Sequence, residues 1–110
     1  MDISEDRTAD VVILGLSGKL DATTAKTLED KILADIEAGE RRLVIDLSQL
    51  DYVSSSGLRV FLLAAKRLRS RDGNIALCSL KDHVQQVFDL SGFSSILAIY
   101  GSRAEGIKGV

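Results

Sequence analysis

Three consecutive serines, Ser54-Ser55-Ser56, are the residues of this chain best placed to do or to receive chemistry. They follow an apolar, strand-like segment, Leu43-Val44-Ile45, and precede an apolar, helix-like segment that starts near Leu58. Where a strand hands over to a helix, unpaired backbone N–H groups point outward and favour a negative group. A serine hydroxyl there is either a candidate nucleophile or a candidate acceptor of a phosphoryl group delivered by another enzyme. The bland alternative is capping and turn formation, a common use of serine at such places.

A serine nucleophile needs a base and an orienting group. His83 is the single histidine, and Gly-x-Ser-x-Gly is absent. The phosphate-loop pattern and Gly-x-Gly-x-x-Gly are missing too. Asp21, Asp46 and Asp51 do not have calcium-loop spacing, so capping and loop hydrogen bonds are their expected roles. His83 is expected at the surface or at a cap. The lone Cys78, inside Ile75-Ala76-Leu77-Cys78, reads as a buried thiol and forms neither an internal disulfide nor a cysteine metal cage. No cofactor, no metal and no enzymatic activity are expected. A phosphoacceptor fits better. A phosphate adds about two negative charges and strong hydrogen-bond acceptors, which a helix N-terminus tolerates. Such a mark would control binding, not folding.

The elements that must position the serines follow from periodicity. Ile3 to Thr8 reads as a short edge strand. Val11 to Leu16 is apolar and β-branched, a central strand, and Ser17 to Asp21 is its following loop. A helix starts near Thr23, with Ala25, Leu28, Ile32 and Ile36 on one stripe, and stops at Gly39. Arg42 to Leu47 is the next strand. The helix after the serines runs from about Ser56 to Arg71. Leu58, Phe61, Leu62, Ala65 and Leu68 form one stripe; Val60, Leu63 and Ala64 form a second. The second stripe signals either deep burial or a protein-docking surface beside the serines. Asn74 to Cys78, a helix carrying Val84, Val87, Phe88 and Leu90, and a strand at Leu97 to Tyr100 complete the pattern. Ser102 and Glu105 stand in capping-box register for a last helix, which Gly106 and Gly109 should fray. Strands separated by single helices imply an α/β fold with a small mixed, largely parallel sheet of about five strands. The helices are expected mainly on one face.

The chain has 110 residues, 45% apolar and 27% charged, with net charge −2. A single domain over residues 1–110 is expected. Neither a basic field nor an aromatic platform is present for nucleic acid. The acidic start, Met1 to Asp6, has no apolar signal core, and no stretch approaches a membrane span; a cytoplasmic protein is expected.

The segment Asp46-Leu47-Ser48-Gln49-Leu50-Asp51-Tyr52-Val53-Ser54-Ser55-Ser56-Gly57-Leu58 resembles the signature of STAS-domain anti-sigma factor antagonists. Ser17-Gly18-Lys19-Leu20-Asp21 resembles that family's Gly-Glu-Leu-Asp loop, and Phe88-Asp89-Leu90-Ser91-Gly92-Phe93 its late Phe-Asp-x-Ser/Thr-Gly-Leu motif. The three segments occur in order over nearly the whole chain. The resemblance implies phosphorylation at Ser55; serine in place of the family's Asp at position 54 makes Ser54 and Ser56 secondary candidates. It implies a serine kinase of the histidine-kinase-like ATPase class that is also the anti-sigma factor, and a PP2C-type phosphatase that removes the mark. The implied contact surface comprises Asp21, Ser54, Ser56, Gly57, Arg59, Val60 and Leu63. Two positions depart from the family pattern. Ser54 stands where the family has Asp, and Arg59 where many antagonists have Gly. The first departure leaves room for a non-phosphorylated scaffold subunit of a larger complex. The second places a cation able to pair with phosphate or to alter partner choice.

Overall fold

The computed structural model describes all 110 residues. The strands are β1 (Asp2–Thr8), β2 (Val11–Leu20), β3 (Arg42–Val53), β4 (Asn74–Cys78) and β5 (Ala98–Tyr100). The helices are α1 (Ala25–Glu37), α2 (Ser55–Arg69), α3 (Asp82–Ser91) and α4 (Arg103–Gly109), with a 3-10 turn at Phe93–Ser95. The strands lie in the order β1-β2-β3-β4-β5. The β1–β2 hairpin is antiparallel and every other pair is parallel. Each parallel step is bridged by one helix, as crossover connections require.

Alternation along the strands assigns the two faces. Val12, Leu14 and Leu16 of β2 and Leu43, Ile45 and Leu47 of β3 point to one face, where α1, α2 and α3 pack. Val11, Ile13, Val44 and Cys78 point to the other, covered by Ile107 of α4 with Tyr100 and Val110. Both faces of the central strands are therefore apolar, as covered parallel strands usually are. The expected stripe of α1 is the buried one: Ala25, Leu28, Ile32 and Ile36. Cys78 is fully buried, and burial pushes its thiol pKa up.

Two strands outrun their sequence signal. β2 continues to Leu20 through the segment expected as a loop, and β3 continues to Val53 instead of ending at Leu47. They stay paired to Leu20↔Val53 across two register shifts, Gly15/Ser17 and Gly18/Lys19. Each bulge inserts a residue and breaks the period of two. The buried residues Leu47, Leu50 and Val53 consequently fall three apart.

The last helix also departs from expectation. Its cap forms as predicted, with the Ser102 hydroxyl accepting from the Glu105 N–H at 3.2 Å. It does not fray at Gly106, which is buried on the sheet. A Cβ there would stand 3.3 Å from Val44 Cγ1, so glycine permits the close approach. Arg103 anchors the same helix. Its guanidinium donates to Asp46 Oδ2 at 3.1 and 2.8 Å and to Asp6 Oδ2 at 3.0 Å. Burial pushes the Asp46 pKa up, but the Ser48 N–H and Arg103 outweigh it and hold the carboxyl below its ordinary value of 3.8. A carboxyl lowered by folding adds stability above its unfolded pKa and loses it as pH falls through the folded value. The contact should therefore weaken progressively below about pH 4. Asp46→Asn should shrink that acid limb in pH-dependent thermal unfolding and cost about 1.5–3 kcal/mol at neutral pH. An unchanged acid limb would exclude this role for Asp46.

Candidate functional site: the serine cap of α2

The serine triplet sits at the C-terminal edge of the sheet, where β3 ends and α2 begins. Ser54 is the N-cap, with extended backbone at φ −92° and ψ 173°. Its hydroxyl accepts from the Gly57 N–H at 3.2 Å and its carbonyl from the Leu58 N–H at 3.0 Å. The carbonyl bond is the first regular bond of the helix, and the hydroxyl satisfies the Gly57 amide, one of the four orphan amides at this end. The amides of Ser55 and Ser56 have no acceptor in the chain. Ser55 is exposed and its hydroxyl makes no hydrogen bond, whereas Ser54 and Ser56 are half-buried. Ser54→Ala should cost about 0.5–2 kcal/mol in urea unfolding, the usual loss for a serine cap. Equal stability of the two proteins would mean that the hydroxyl contributes nothing as a cap.

The Ser54 N–H donates to the Leu20 carbonyl at 2.9 Å. That bond ties the cap to the end of β2 and brings the Asp21 turn beside it. The Asp21 carboxylate faces its own turn. Oδ1 accepts from the Thr23 hydroxyl at 2.7 Å, the Thr23 N–H at 3.0 Å and the Thr24 N–H at 3.2 Å. The Thr23 hydroxyl leads in holding Asp21 below its ordinary pKa, so this turn keeps a negative charge. Gly57 is buried under the cap. A Cβ there would lie 2.7 Å from Leu20 Cγ and 3.0 Å from Val53 Cγ2, so only glycine lets the first turn of α2 sit this close to the sheet.

The expected contact residues divide accordingly. Asp21, Ser54, Ser56 and Leu63 are half-buried, and Arg59 is exposed. Gly57 and Val60 present nothing to a partner: Gly57 is wedged against Leu20 and Val53, and Val60 is 4% exposed. The second stripe of α2 therefore splits. Val60 and Ala64 join the core, while Leu63 stays at the surface. The physical reason is the depth of α2, which rests on β3 and β4 on one side and on α1 on the other.

His83 accounts for itself structurally. Its Nε2 lies 2.6 Å from the Asp51 carbonyl, and it bonds to none of the serines. Asp51 also pairs with Lys81, and that ion pair lowers its pKa. Together these contacts hold the start of α3 to the end of β3. Leu20 is the member of the site that periodicity missed, because its role is a backbone carbonyl. The one available signal was its position just before Asp21.

Two surface cavities exist, of about 190 and 150 Å³, and neither includes the serine cap. The larger lies over β1, β2 and β3 beside Arg103. No group of three or more His, Cys, Asp or Glu residues is arranged to hold a metal. No helix is long and apolar enough to cross a membrane. Ser55 is thus an exposed hydroxyl outside both cavities.

Known proteins share both sequence and fold. The STAS domain family model matches residues 2–106. BtrV of Bordetella bronchiseptica, assigned by name to the anti-sigma factor antagonists, is 46% identical over 94% of this chain and 89% of its own length. An anti-sigma-B factor antagonist of Listeria monocytogenes is 31% identical over 92% of this chain and 89% of its own. A crystal structure from Thermotoga maritima, named for the same class, superposes with a TM-score of 0.92 at 25% identity, covering 98% of this chain and 93% of that one. The five-stranded mixed sheet, the order of its helices and the matched span agree: this chain belongs to the STAS domain family.

Proposed function

We propose that this chain is an anti-sigma factor antagonist whose docking is switched by phosphorylation of Ser55. The partner is a serine kinase of the histidine-kinase-like ATPase class that doubles as the anti-sigma factor, and a PP2C-type phosphatase restores the binding form. The chain is the substrate of that chemistry and not its catalyst. The carrying observation is the division of labour among the serines. Ser54 spends its hydroxyl on the Gly57 amide, Ser56 is half-buried, and Ser55 alone is exposed with a free hydroxyl. The names of the relatives at 46% and 31% identity support the same reading. The serine at 54 performs the capping that an aspartate would perform there, so the departure from the family pattern leaves the local structure intact.

The test is incubation with the kinase partner, ATP and magnesium, followed by intact mass. A gain of one phosphate is expected in the native chain, in Ser54→Ala and in Ser56→Ala, and none in Ser55→Ala. A phosphate that persists in Ser55→Ala would move the acceptor elsewhere.

A further inference from the structure

One face of α2 is left without an intramolecular partner. Ser55, Arg59, Leu62, Leu63, Lys66 and Arg69 recur at spacings of three and four, so they share the side of the helix opposite its buried residues. Arg59, Lys66 and Arg69 are exposed, and none of them pairs with a carboxylate. Their neighbours do pair: Arg67 and Arg71 both meet Glu37 of α1, at 3.8 and 2.8 Å. Leu62 and Leu63 lie half-buried between the free cations and stand outside both core clusters. From Ser55 to Arg71 the chain carries five cations, at 59, 66, 67, 69 and 71, and no acidic residue, although its net charge is −2. The strip is therefore cationic on a protein whose net charge is negative.

We infer that this strip is the docking surface for an acidic amphipathic segment of the partner, with carboxylates meeting Arg59, Lys66 and Arg69 and apolar side chains covering Leu62 and Leu63. Charge complementarity selects the occupant. Two leucines in the middle of the strip favour a protein over a nucleic-acid backbone, which offers no apolar counterpart. The inference rests on the reading of Ser55 in one respect: Ser55 begins the same face, one turn before Arg59. A phosphate there places its charge at the end of the strip, against the carboxylates of the occupant and within reach of Arg59.

The test needs no kinase. The ¹⁵N-labelled chain is titrated with a synthetic peptide as long as α2, with glutamates spaced around leucines at helical period, and with its Glu→Gln counterpart. Amide shifts at residues 59, 62, 63 and 66 are expected with the acidic peptide only. Affinity should fall about tenfold in Lys66→Glu and again in Arg59→Glu. It should also fall between about 0.01 and 0.15 M salt, as the screening length shrinks from ~30 to ~8 Å. Shifts elsewhere, equal binding of the glutamine peptide, no binding at all, or tighter binding of duplex DNA or anionic vesicles would each overturn the inference. These results do not involve modification of Ser55, so a strip that fails leaves the phosphoacceptor standing. A Ser55 that is never phosphorylated leaves the strip standing.

Discussion

Phosphate on Ser55 should weaken the complex with the kinase partner by about 100- to 1,000-fold, roughly 3–4 kcal/mol, while the chain stays folded. The two parts of this expectation have separate physical causes. Binding is lost because about two negative charges appear on an exposed residue within the docking surface, where like charges placed face to face cost several kcal/mol. The fold survives because the same charge meets favourable surroundings within the chain. The amides of Ser55 and Ser56 are unpaired and available to phosphate oxygens. The helix dipole contributes about 0.3–1 kcal/mol in the same direction. Arg59 stands one turn along the same face, in a spacing that lets side chains meet. Phosphoserine installed at position 55 during synthesis would let both parts be measured on one sample. Calorimetric titration against the partner should show the loss of affinity, and thermal unfolding should show a melting temperature equal to or above that of the unmodified chain. A large drop in melting temperature would mean that phosphate acts by unfolding the helix, which would sink the switch as drawn here.

Phe61→Ala should cost about 3–5 kcal/mol of stability, the usual range for deleting a fully buried aromatic ring. Phe61 is 0% exposed and sits on the buried side of α2. Its ring centroid lies 6.0 Å from that of Phe88 on α3, tilted by 36°, a separation at which aromatic pairs attract. The two rings join α2 and α3 above the sheet, and α2 carries both the serine cap and the cationic strip. Against a typical domain stability of about 5–15 kcal/mol, such a loss is about a fifth of the total or more. Urea unfolding should show a lowered midpoint with an unchanged slope, since the surface exposed on unfolding hardly changes. A loss below about 1 kcal/mol would show that the neighbours close the cavity, and that the α2–α3 joint is softer than its burial suggests.

Much of the fold is legible from single residues in order. Ala25, Leu28, Ile32 and Ile36 announce the buried face of α1, because a regular helix repeats its burial every three to four residues. Ser102 and Glu105 announce the start of α4, because capping is a local bond. The site is legible in the same local sense, for a serine run between an apolar strand and an apolar helix places hydroxyls at a helix N-terminus. Periodicity fails where geometry becomes irregular or where one element meets two neighbours. The bulges at Gly15/Ser17 and Gly18/Lys19 hid the ends of β2 and β3. Gly106 looked like a helix breaker and is a contact point on Val44.

Sequence by itself determined the kinds of element, their order and the position of the serines, because each depends on residues near one another along the chain. Tertiary structure decided which serine is open to a partner. Ser54, Ser55 and Ser56 are chemically equal in the chain, and in the fold Ser54 gives its amide to the Leu20 carbonyl and its hydroxyl to the Gly57 N–H, Ser56 is half-buried, and Ser55 is exposed. It also decided that Val60 is core and Leu63 is at the surface, since the burial of a residue on α2 depends on how the sheet and α1 divide its circumference. A helix with a single apolar stripe shows its buried face in its own period, but α2 is apolar on two sides, and there only packing between distant segments decides which side is covered.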